Sequence, residues 1–213
     1  MPINKIRKRT VVTLAAAGLA LAVLPAAADA GSGTSTLHAD LTQLNFSGVS
    51  GTATVSVKGN KLDASIDATG LLADQPHAAH IHFGATALHE CPTQAAAGAD
   101  NQLTTGEGLR FYGPVVVSFT TRGDTSPASV LAIDRYSTAP GGVIDYDRDN
   151  IKTQRAVAKA IAAGQGVVVL HGLDYHVAGS VNGEYDFAAG TSDLKPTLPA
   201  EATDLAACGV LND

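Results

Sequence analysis

The densest group of side chains that could do chemistry is a run of histidines in the first half of the chain. His77, His80 and His82 lie within six residues, and His89 follows them closely. On a β-strand, residues two apart point to the same face, so a strand here would present the imidazoles of His80 and His82 side by side. Imidazole is a good ligand for both copper and zinc. The His-x-His pair is therefore a candidate for two ligands of one metal ion.

A later histidine, His171, could supply a third ligand. It ends the most apolar run of the chain, Val167–Leu170, which is typical of a buried strand. His77 or His89, in the loops on either side of the pair, could complete a mononuclear copper or zinc site. Metal–nitrogen bonds near 2 Å require the ligating nitrogens to converge within roughly 3–4 Å of one another. The alternative is that these histidines only form hydrogen bonds within the fold, as one or two strand histidines more often do.

Other motifs give little indication of chemistry. Asp145–Asn150 has the alternating carboxylates of a calcium loop, but it lacks the glycine at position six and the acidic residue at position twelve, where Ala156 stands. We therefore interpret it as the solvated face of a strand. The sequence contains no Gly-x-Ser-x-Gly, nucleotide-binding glycine loop or His-Glu-x-x-His motif, so nothing in it indicates a hydrolase or a dehydrogenase.

Residues 1–30 have the three-part pattern of a secretory signal peptide. A positively charged start, Lys5 to Arg9, precedes an apolar run of 14 residues, Val11 to Leu24. Small residues then offer cleavage after Ala28 or Ala30. The apolar run is shorter than the ~20 residues that a membrane-spanning helix needs. The pattern predicts a protein that is secreted or extracytoplasmic, in the cell envelope, with no membrane span in its mature chain.

The mature chain, residues 31–213, has a length that suits a single domain with its own core. The signal holds four of the 14 Lys and Arg residues and one of the 20 Asp and Glu residues, so the mature chain has 10 positive and 19 negative charges, a formal net of −9. Such an acidic surface argues against nucleic acid and anionic lipid as partners. The sequence names no protein partner.

Cys91 and Cys208 are the only cysteines in the chain. In an exported protein, two cysteines most economically form one disulfide, and two free thiols are the alternative. A disulfide here would close a loop of 118 residues. In the chain-entropy description, closing such a loop stabilises the folded state by about 4–5 kcal/mol.

Regularly spaced β-rich runs dominate the mature chain. Gly51–Val57 and Leu62–Ala68 alternate in polarity and flank a turn at Lys58–Lys61, which predicts a β-hairpin. Glycine and proline separate the runs, which favours a sandwich or barrel over an α/β fold. Further strands are predicted at residues 78–83, 115–121, 129–133, 143–146 and 167–171.

One segment has helical spacing instead. Thr153–Ala163 places alanine, valine and isoleucine on one helical face and is followed by Gly164, so it predicts a short helix. Thr93–Gly113 is polar and glycine-rich and is predicted to be a long surface loop. Thr191–Pro199 contains proline and is predicted to be an extended segment.

Several short motifs, in their order along the chain, resemble the copper/zinc superoxide dismutase superfamily. They are Ala79–His82, Cys91, the Val-Val-Val-Leu strand that ends in His171, and Ala207–Leu211. That superfamily has a His-x-His copper pair on a strand, a cysteine soon after it, a third copper histidine at the end of a later strand, and a Cys-Gly-Val near the C-terminus. The Ala-His-Ile-His strand is also similar to the signature of the CHRD (chordin-type) domain.

The resemblance covers about residues 48–211, except for 93–166. It implies an all-β fold, a Greek-key β-sandwich of the superoxide dismutase-like or CHRD-like type, here with one short helix near 153–163. It also implies a disulfide between Cys91 and Cys208 and a copper site formed by the three strand histidines. On this reading, residues 31–213 are a single secreted β-sandwich domain.

Two departures from the dismutase pattern bear on activity. The histidine that bridges copper and zinc in that family, six residues after the first cysteine, is replaced by Ala97, and no histidine lies between Cys91 and His171. The arginine that guides the anion, three residues before the last cysteine, is replaced by Leu205. The zinc site and the guiding cation therefore do not carry over.

Three hypotheses follow from these residues. The first is a secreted protein that binds one copper or zinc ion through His80, His82 and His171 without the complete dismutase site. The second is a non-catalytic CHRD-type structural or interaction module of the cell envelope. The third is a copper-dependent superoxide dismutase, which is the only enzyme that the residues suggest, and no catalytic residue can be named for it.

Overall fold

The structure is a computed structural model that describes Met1, residues 33–176 and residues 183–213. Apart from Met1, the predicted signal peptide lies outside the described residues, and its export function stays a prediction. The described segments after Met1 belong to one unit, Ser32–Asp213. Among the described residues, no helix is long and apolar enough to cross a membrane.

The fold is mostly β, as predicted, and eight of the ten strands in the described part of the chain form one curled antiparallel sheet. The order of strands in this sheet is β6-β5-β9-β10-β1-β2-β3-β8, and β4 pairs with β7 separately. The strands are β1 (Ser35–Gln43), β2 (Ser50–Lys58), β3 (Lys61–Thr69), β4 (Pro76–His77), β5 (Ala79–His82), β6 (Val115–Ser118), β7 (Ser137–Thr138), β8 (Val143–Lys152), β9 (Val167–His171) and β10 (Leu205–Val210).

Strand β1 connects the two halves of the sheet because it changes partner along its length. Residues 35–41 pair with β2, whereas Thr42 and Gln43 pair with β10. Side chains from both halves enter one hydrophobic core, in which Val55 and Ile66 from one half lie with Ile81 and Leu170 from the other. A sheet that curls over its own core in this way confirms the prediction of a β-rich fold. The more specific prediction of a Greek-key sandwich stays a prediction.

The predicted hairpin is present as β2 and β3. Its register runs from Lys58 opposite Lys61 to Ser50 opposite Thr69, and Gly59 in the turn has a φ of 66°, which is readily available only to glycine. Along β3, alternate side chains from Leu62 to Ala68 are buried, as the alternation predicts.

Strand β9 is buried on both faces, which explains its uninterrupted apolar sequence. Val168 and Leu170 belong to the main core. Val167 and Val169 belong to a second cluster on the opposite face, together with Cys208 of β10. A strand covered on both sides has no need of polar alternation, and His171 follows at its end.

Two short helices accompany the sheet. Helix α2, Arg155–Ala162, confirms the helix predicted over 153–163 and ends before Gly164, which has a φ of 76°. Helix α1, Thr105–Tyr112, lies in the segment predicted to be a surface loop, so that prediction is wrong for its second half. Thr104 and Glu107 form a capping box at the start of α1, and this local signal outweighs the helix-weakening effect of its two glycines.

The strand predicted at residues 129–133 is also wrong. This segment contains two 3₁₀ turns, Pro127–Ser129 and Ile133–Arg135. The hydroxyl of Ser126 accepts a hydrogen bond from the backbone of Ala128, and backbone hydrogen bonds in the segment are local rather than to a neighbouring strand. The proline after a capping serine starts a turn here, and it overrides the β propensity of the residues that follow.

The predicted disulfide is confirmed. Cys91, in the loop after β5, is bonded to Cys208 on β10, with a Cα–Cα distance of 5.8 Å and a sequence separation of 117 residues. Neither cysteine is therefore a free thiol, and the bond is compatible with an extracytoplasmic location. It ties the loop region of residues 83–104 to the centre of the sheet.

Removal of this bond should lower the free energy of unfolding. Because the loop that it closes is long, we expect the double variant Cys91→Ala, Cys208→Ala to lose about 4–5 kcal/mol. Urea unfolding followed by circular dichroism measures the loss. An unchanged midpoint and slope would show that the bond does not restrict the unfolded chain.

Candidate metal centre

The pairing of β5 with β9 brings three histidines to one face of the sheet. In the antiparallel register, Ala79 lies opposite Leu170 and His80 lies opposite Val169, so His171 is a diagonal neighbour of His80 on the same face. Ile81, between the two histidines of β5, points to the main core instead. The prediction that His80 and His82 share a face is confirmed.

The three side chains are buried and close together. His80, His82 and His171 are each at most 3 % exposed, and one ring nitrogen of each lies within 4.8 Å of one ring nitrogen of both others. Ligands around one ion with bonds near 2 Å lie roughly 3–4 Å apart, and 4.8 Å is an upper limit on the separations here. The third ligand predicted from the sequence, His171, is at the site.

Backbone carbonyls fix the tautomers of two of these rings. Nδ1 of His82 lies 2.8 Å from the carbonyl oxygen of Gly113, and Nδ1 of His171 lies 2.7 Å from that of Thr203. A carbonyl only accepts hydrogen bonds, so Nδ1 is the protonated nitrogen in both rings and Nε2 keeps a free lone pair.

The hydroxyl of Tyr136 fixes the third tautomer. Burial raises the pKa of Tyr136 to about 12, so its hydroxyl keeps its proton and donates it to the carbonyl of Ser129 at 2.8 Å. The same oxygen lies 2.8 Å from Nε2 of His80 and accepts a hydrogen bond from it. The lone pair of His80 is therefore on Nδ1.

The nitrogens with free lone pairs have no partner in the protein. Among the buried side-chain nitrogens and oxygens of the described residues, four lack a hydrogen-bond partner, and three of them are Nδ1 of His80, Nε2 of His82 and Nε2 of His171. The fourth is Oδ1 of Asp204. Buried polar atoms normally find partners, so three such nitrogens in one group identify a site with unused capacity for a ligand.

Burial also keeps these imidazoles neutral. Burial, together with the repulsion that a protonated His171 would exert, lowers the pKa of His82 to about 3. Burial likewise lowers the pKa of His171 to about 4 and that of His80 well below its usual range. At neutral pH all three rings can use a lone pair to bind a metal ion.

The two other candidate ligands lie outside this group. His77 is on β4, and its two ring nitrogens lie 3.0 Å from the carbonyl oxygens of His171 and Leu72. His89, in a loop, has Nε2 at 2.9 Å from the carbonyl of Gly84 and its ring stacked on Phe83. The structure therefore brings together His80, His82 and His171, and it does not bring His77 or His89 to them.

Gly113 is a partner of the site that the sequence pattern did not indicate. It ends helix α1 with a φ of 84°, and an added Cβ would lie 2.6 Å from the backbone nitrogen of Gly84. Only glycine fits this position, and its carbonyl holds the ring of His82. Tyr136 and Thr203 were likewise missed, since nothing in their local sequence links them to the histidines.

The two positions that depart from the dismutase pattern have apolar roles. Leu205 is fully buried on β10, where it pairs with His171 through the backbone, and its side chain packs in the second cluster. Ala97 packs against the same cluster. Neither position supplies a ligand or a charge to the site.

Comparisons with known proteins assign no family, because no family model and no curated protein matches the chain significantly.

Acidification should destabilise the metal-free protein between pH 6.5 and about 4. The unfolded chain takes up protons on its histidines near pH 6.5, whereas the folded pKa of His171 is about 4 and that of His82 about 3. The unfolded state then binds more protons, so each such histidine lowers the free energy of unfolding by up to about 1.4 kcal/mol per pH unit. Burial raises the pKa of Asp204 to about 7 and also raises that of Glu201. These two carboxyls act oppositely, but they are outweighed by the four histidines whose pKa burial lowers.

Urea unfolding at pH 7, 6 and 5 measures this dependence. The variant His82→Gln should reduce the slope of the free energy of unfolding against pH by up to the contribution of one histidine, about 1.4 kcal/mol per pH unit. The control His38→Gln removes an exposed histidine of β1 and should leave it unchanged. Equal dependence in all three proteins would contradict the assignment of neutral, buried imidazoles.

Proposed function

We propose that this protein binds one copper or zinc ion through His80, His82 and His171. The observation that carries the proposal is that each buried ring has one nitrogen held by a hydrogen bond and the other without a partner. Leaving a buried polar atom unsatisfied costs about 1–3 kcal/mol. A metal ion that takes all three lone pairs removes this cost at once.

The hydrogen bonds around the site have the form that metal-binding histidines need. A ligating imidazole almost always donates its other N–H to a carbonyl, a carboxylate or water, which fixes the ring and its tautomer. Gly113, Thr203 and Tyr136 supply these acceptors. When bound, such an ion would act as a Lewis acid or, if it is copper, as a one-electron carrier.

The resemblance to dismutases and CHRD domains implies a specific fold and a secreted protein, and we include both in this proposal. Three features support a Greek-key sandwich of the dismutase-like or CHRD-like type: the His-x-His pair on β5, the third histidine at the end of β9, and the disulfide from the loop after β5 to β10. The disulfide supports secretion, since such bonds persist in oxidising compartments. The proposal stops short of dismutase activity, because Ala97 and Leu205 supply neither the second metal site nor the guiding cation.

The alternative of a metal-free structural module has less support. In such a module, the N–H and the lone pair of each of the three rings would both have partners within the fold. The three unpartnered nitrogens lower the stability of the fold. In a purely structural protein, an apolar residue of similar size in place of each histidine would avoid this cost.

Metal analysis tests the proposal. After refolding with Cu(II) or Zn(II) and removal of excess metal, we expect one equivalent of one of these metals per chain by mass spectrometry of the elements. The double variant His80→Ala, His82→Ala should bind none, while the control His38→Ala should still bind one. Less than one-tenth of an equivalent in the unmodified protein would refute the proposal, and full binding by the double variant would move the site elsewhere.

The hydroxyl of Tyr136 should matter to metal affinity. In Tyr136→Phe, the N–H of His80 loses its acceptor, so we expect the metal affinity to fall by about 10–100-fold. Tyr146→Phe is a matched control, because it removes a buried hydroxyl that contacts the carbonyl of Thr120 rather than a histidine. Competition with a chelator of known affinity measures both. Equal losses in the two variants would mean that the hydroxyl of Tyr136 has only a general effect on stability.

A further inference from the structure

The three histidines adjoin a cavity whose other walls are mainly apolar. Its volume is about 130 Å³, and all three imidazoles are among its lining residues. The apolar side chains come from three parts of the chain that lie far apart in sequence. The main ones are Val115, Val130, Leu131, Ile133, Leu194 and Leu198. The three imidazoles are thus next to a space that is lined largely by apolar residues.

Three of the apolar side chains that line this cavity are also exposed to solvent. Leu131, Ile133 and Leu194 line it and are nevertheless 38 %, 41 % and 44 % exposed. Leu131 and Ile133 lie in the segment of 3₁₀ turns, and Leu194 lies in the segment 191–199. We call these three residues the apolar mouth. Grouped apolar residues at the entrance of a cavity are typical of a ligand-binding site rather than of a solvated surface.

The segment 191–199 forms its side of the cavity because it turns back on itself. It was predicted to be extended, but Thr191 forms a bridge with Pro199, and the hydroxyl of Ser192 accepts hydrogen bonds from the backbone of Leu194 and Lys195. This turn places Leu194 and Leu198 on the cavity. The prediction of an extended segment is therefore wrong.

Charge at the opening does not favour anions. Among the described residues, Lys195 is the only charged one that lines the cavity, and it is exposed to solvent. The same turn carries the carboxylate of Asp193, which accepts a hydrogen bond from the backbone of Gly106. Together with the formal net charge of −9 on residues 31–213, this leaves no net positive field to attract a small anion.

The volume of the cavity limits the size of its ligand. A dry apolar cavity of roughly 150 Å³ in another protein binds benzene, and about 130 Å³ is close to that value. We propose that the cavity binds one small uncharged aromatic ring that carries a nitrogen or oxygen donor, such as an azine, an azole or a phenol. The ring lies against the apolar walls and the donor atom faces the histidines.

This proposal rests on the proposed function only for the contact between donor and metal. If a metal ion were bound to the histidines, a ring nitrogen or oxygen of the ligand would bind to it. Without the ion, the free lone pairs of the imidazoles accept a hydrogen bond from a ligand O–H. A phenol therefore fits the cavity in both states, and pyridine fits the metal-bound state.

Two measurements on the purified protein test the proposal. In the metal-free protein, we expect saturation-transfer NMR to detect phenol binding, and the double variant Leu131→Ser, Ile133→Ser of the apolar mouth should weaken it at least about 10-fold. In the Cu(II)-loaded protein, pyridine should shift the visible absorption of the copper, again with at least about 10-fold weaker binding in that variant. Leu88→Ser, which replaces a leucine that is 57 % exposed elsewhere, is the control and should change neither.

The outcomes separate this proposal from the metal-binding one. Phenol binding without any metal uptake would support the proposed ligand of the cavity and would overturn the proposed metal-binding function. Metal uptake without binding of phenol or pyridine would overturn the cavity ligand and leave the metal site standing. Azide that binds to the copper-loaded protein and loses at least about 10-fold in affinity in Lys195→Met, with no pyridine binding, would show an anion site and would also overturn this proposal.

Discussion

The pairing of β5 with β9 is the constraint on which the rest of the site depends. Its register puts His80, His82 and His171 on one face and Ile81 with Leu170 on the other. Because side chains alternate along a strand, a slip of one residue would bury the imidazoles in the main core and turn the aliphatic side chains to the site. The burial of β9 on both faces makes such a slip costly, so the hydrophobic core that stabilises the sheet also fixes the relative positions of the histidines.

A second set of contacts determines, for each of the three histidines, which ring nitrogen is protonated and which one carries the lone pair. Gly113 and Thr203 each direct one ring through a carbonyl, and Tyr136 directs the third through its hydroxyl. These partners come from the end of helix α1, from the strand connection before β10 and from the segment of 3₁₀ turns. The loops therefore do more than cover the sheet, because they determine which nitrogen of each ring is protonated. The bond between Cys91 and Cys208 holds the loop that leads to helix α1 close to the sheet.

The sequence predicted the parts of this arrangement that have a local signal. The period of two in His80-Ile-His82, the apolar run before His171, the hairpin of β2 and β3 and the pair of cysteines are all visible without a structure. Helix α1 was missed because two glycines and a polar composition conceal its capping box, and β1 and β10 were not predicted as strands. The partners of the histidines were missed for another reason. Tyr136 is 56 positions from His80, and only tertiary structure brings the two together.

The hydrogen bonds that orient the imidazoles come from the protein itself, and this has a thermodynamic consequence. In a zinc finger, metal binding and folding are one event, so the affinity includes the entropic cost of ordering the chain. Here the ligands lie in a finished sheet with their tautomers already chosen. Capture of an ion would order few residues and bury little additional apolar surface, so its heat-capacity change would be small. A chelator could then withdraw the ion and leave the polypeptide folded.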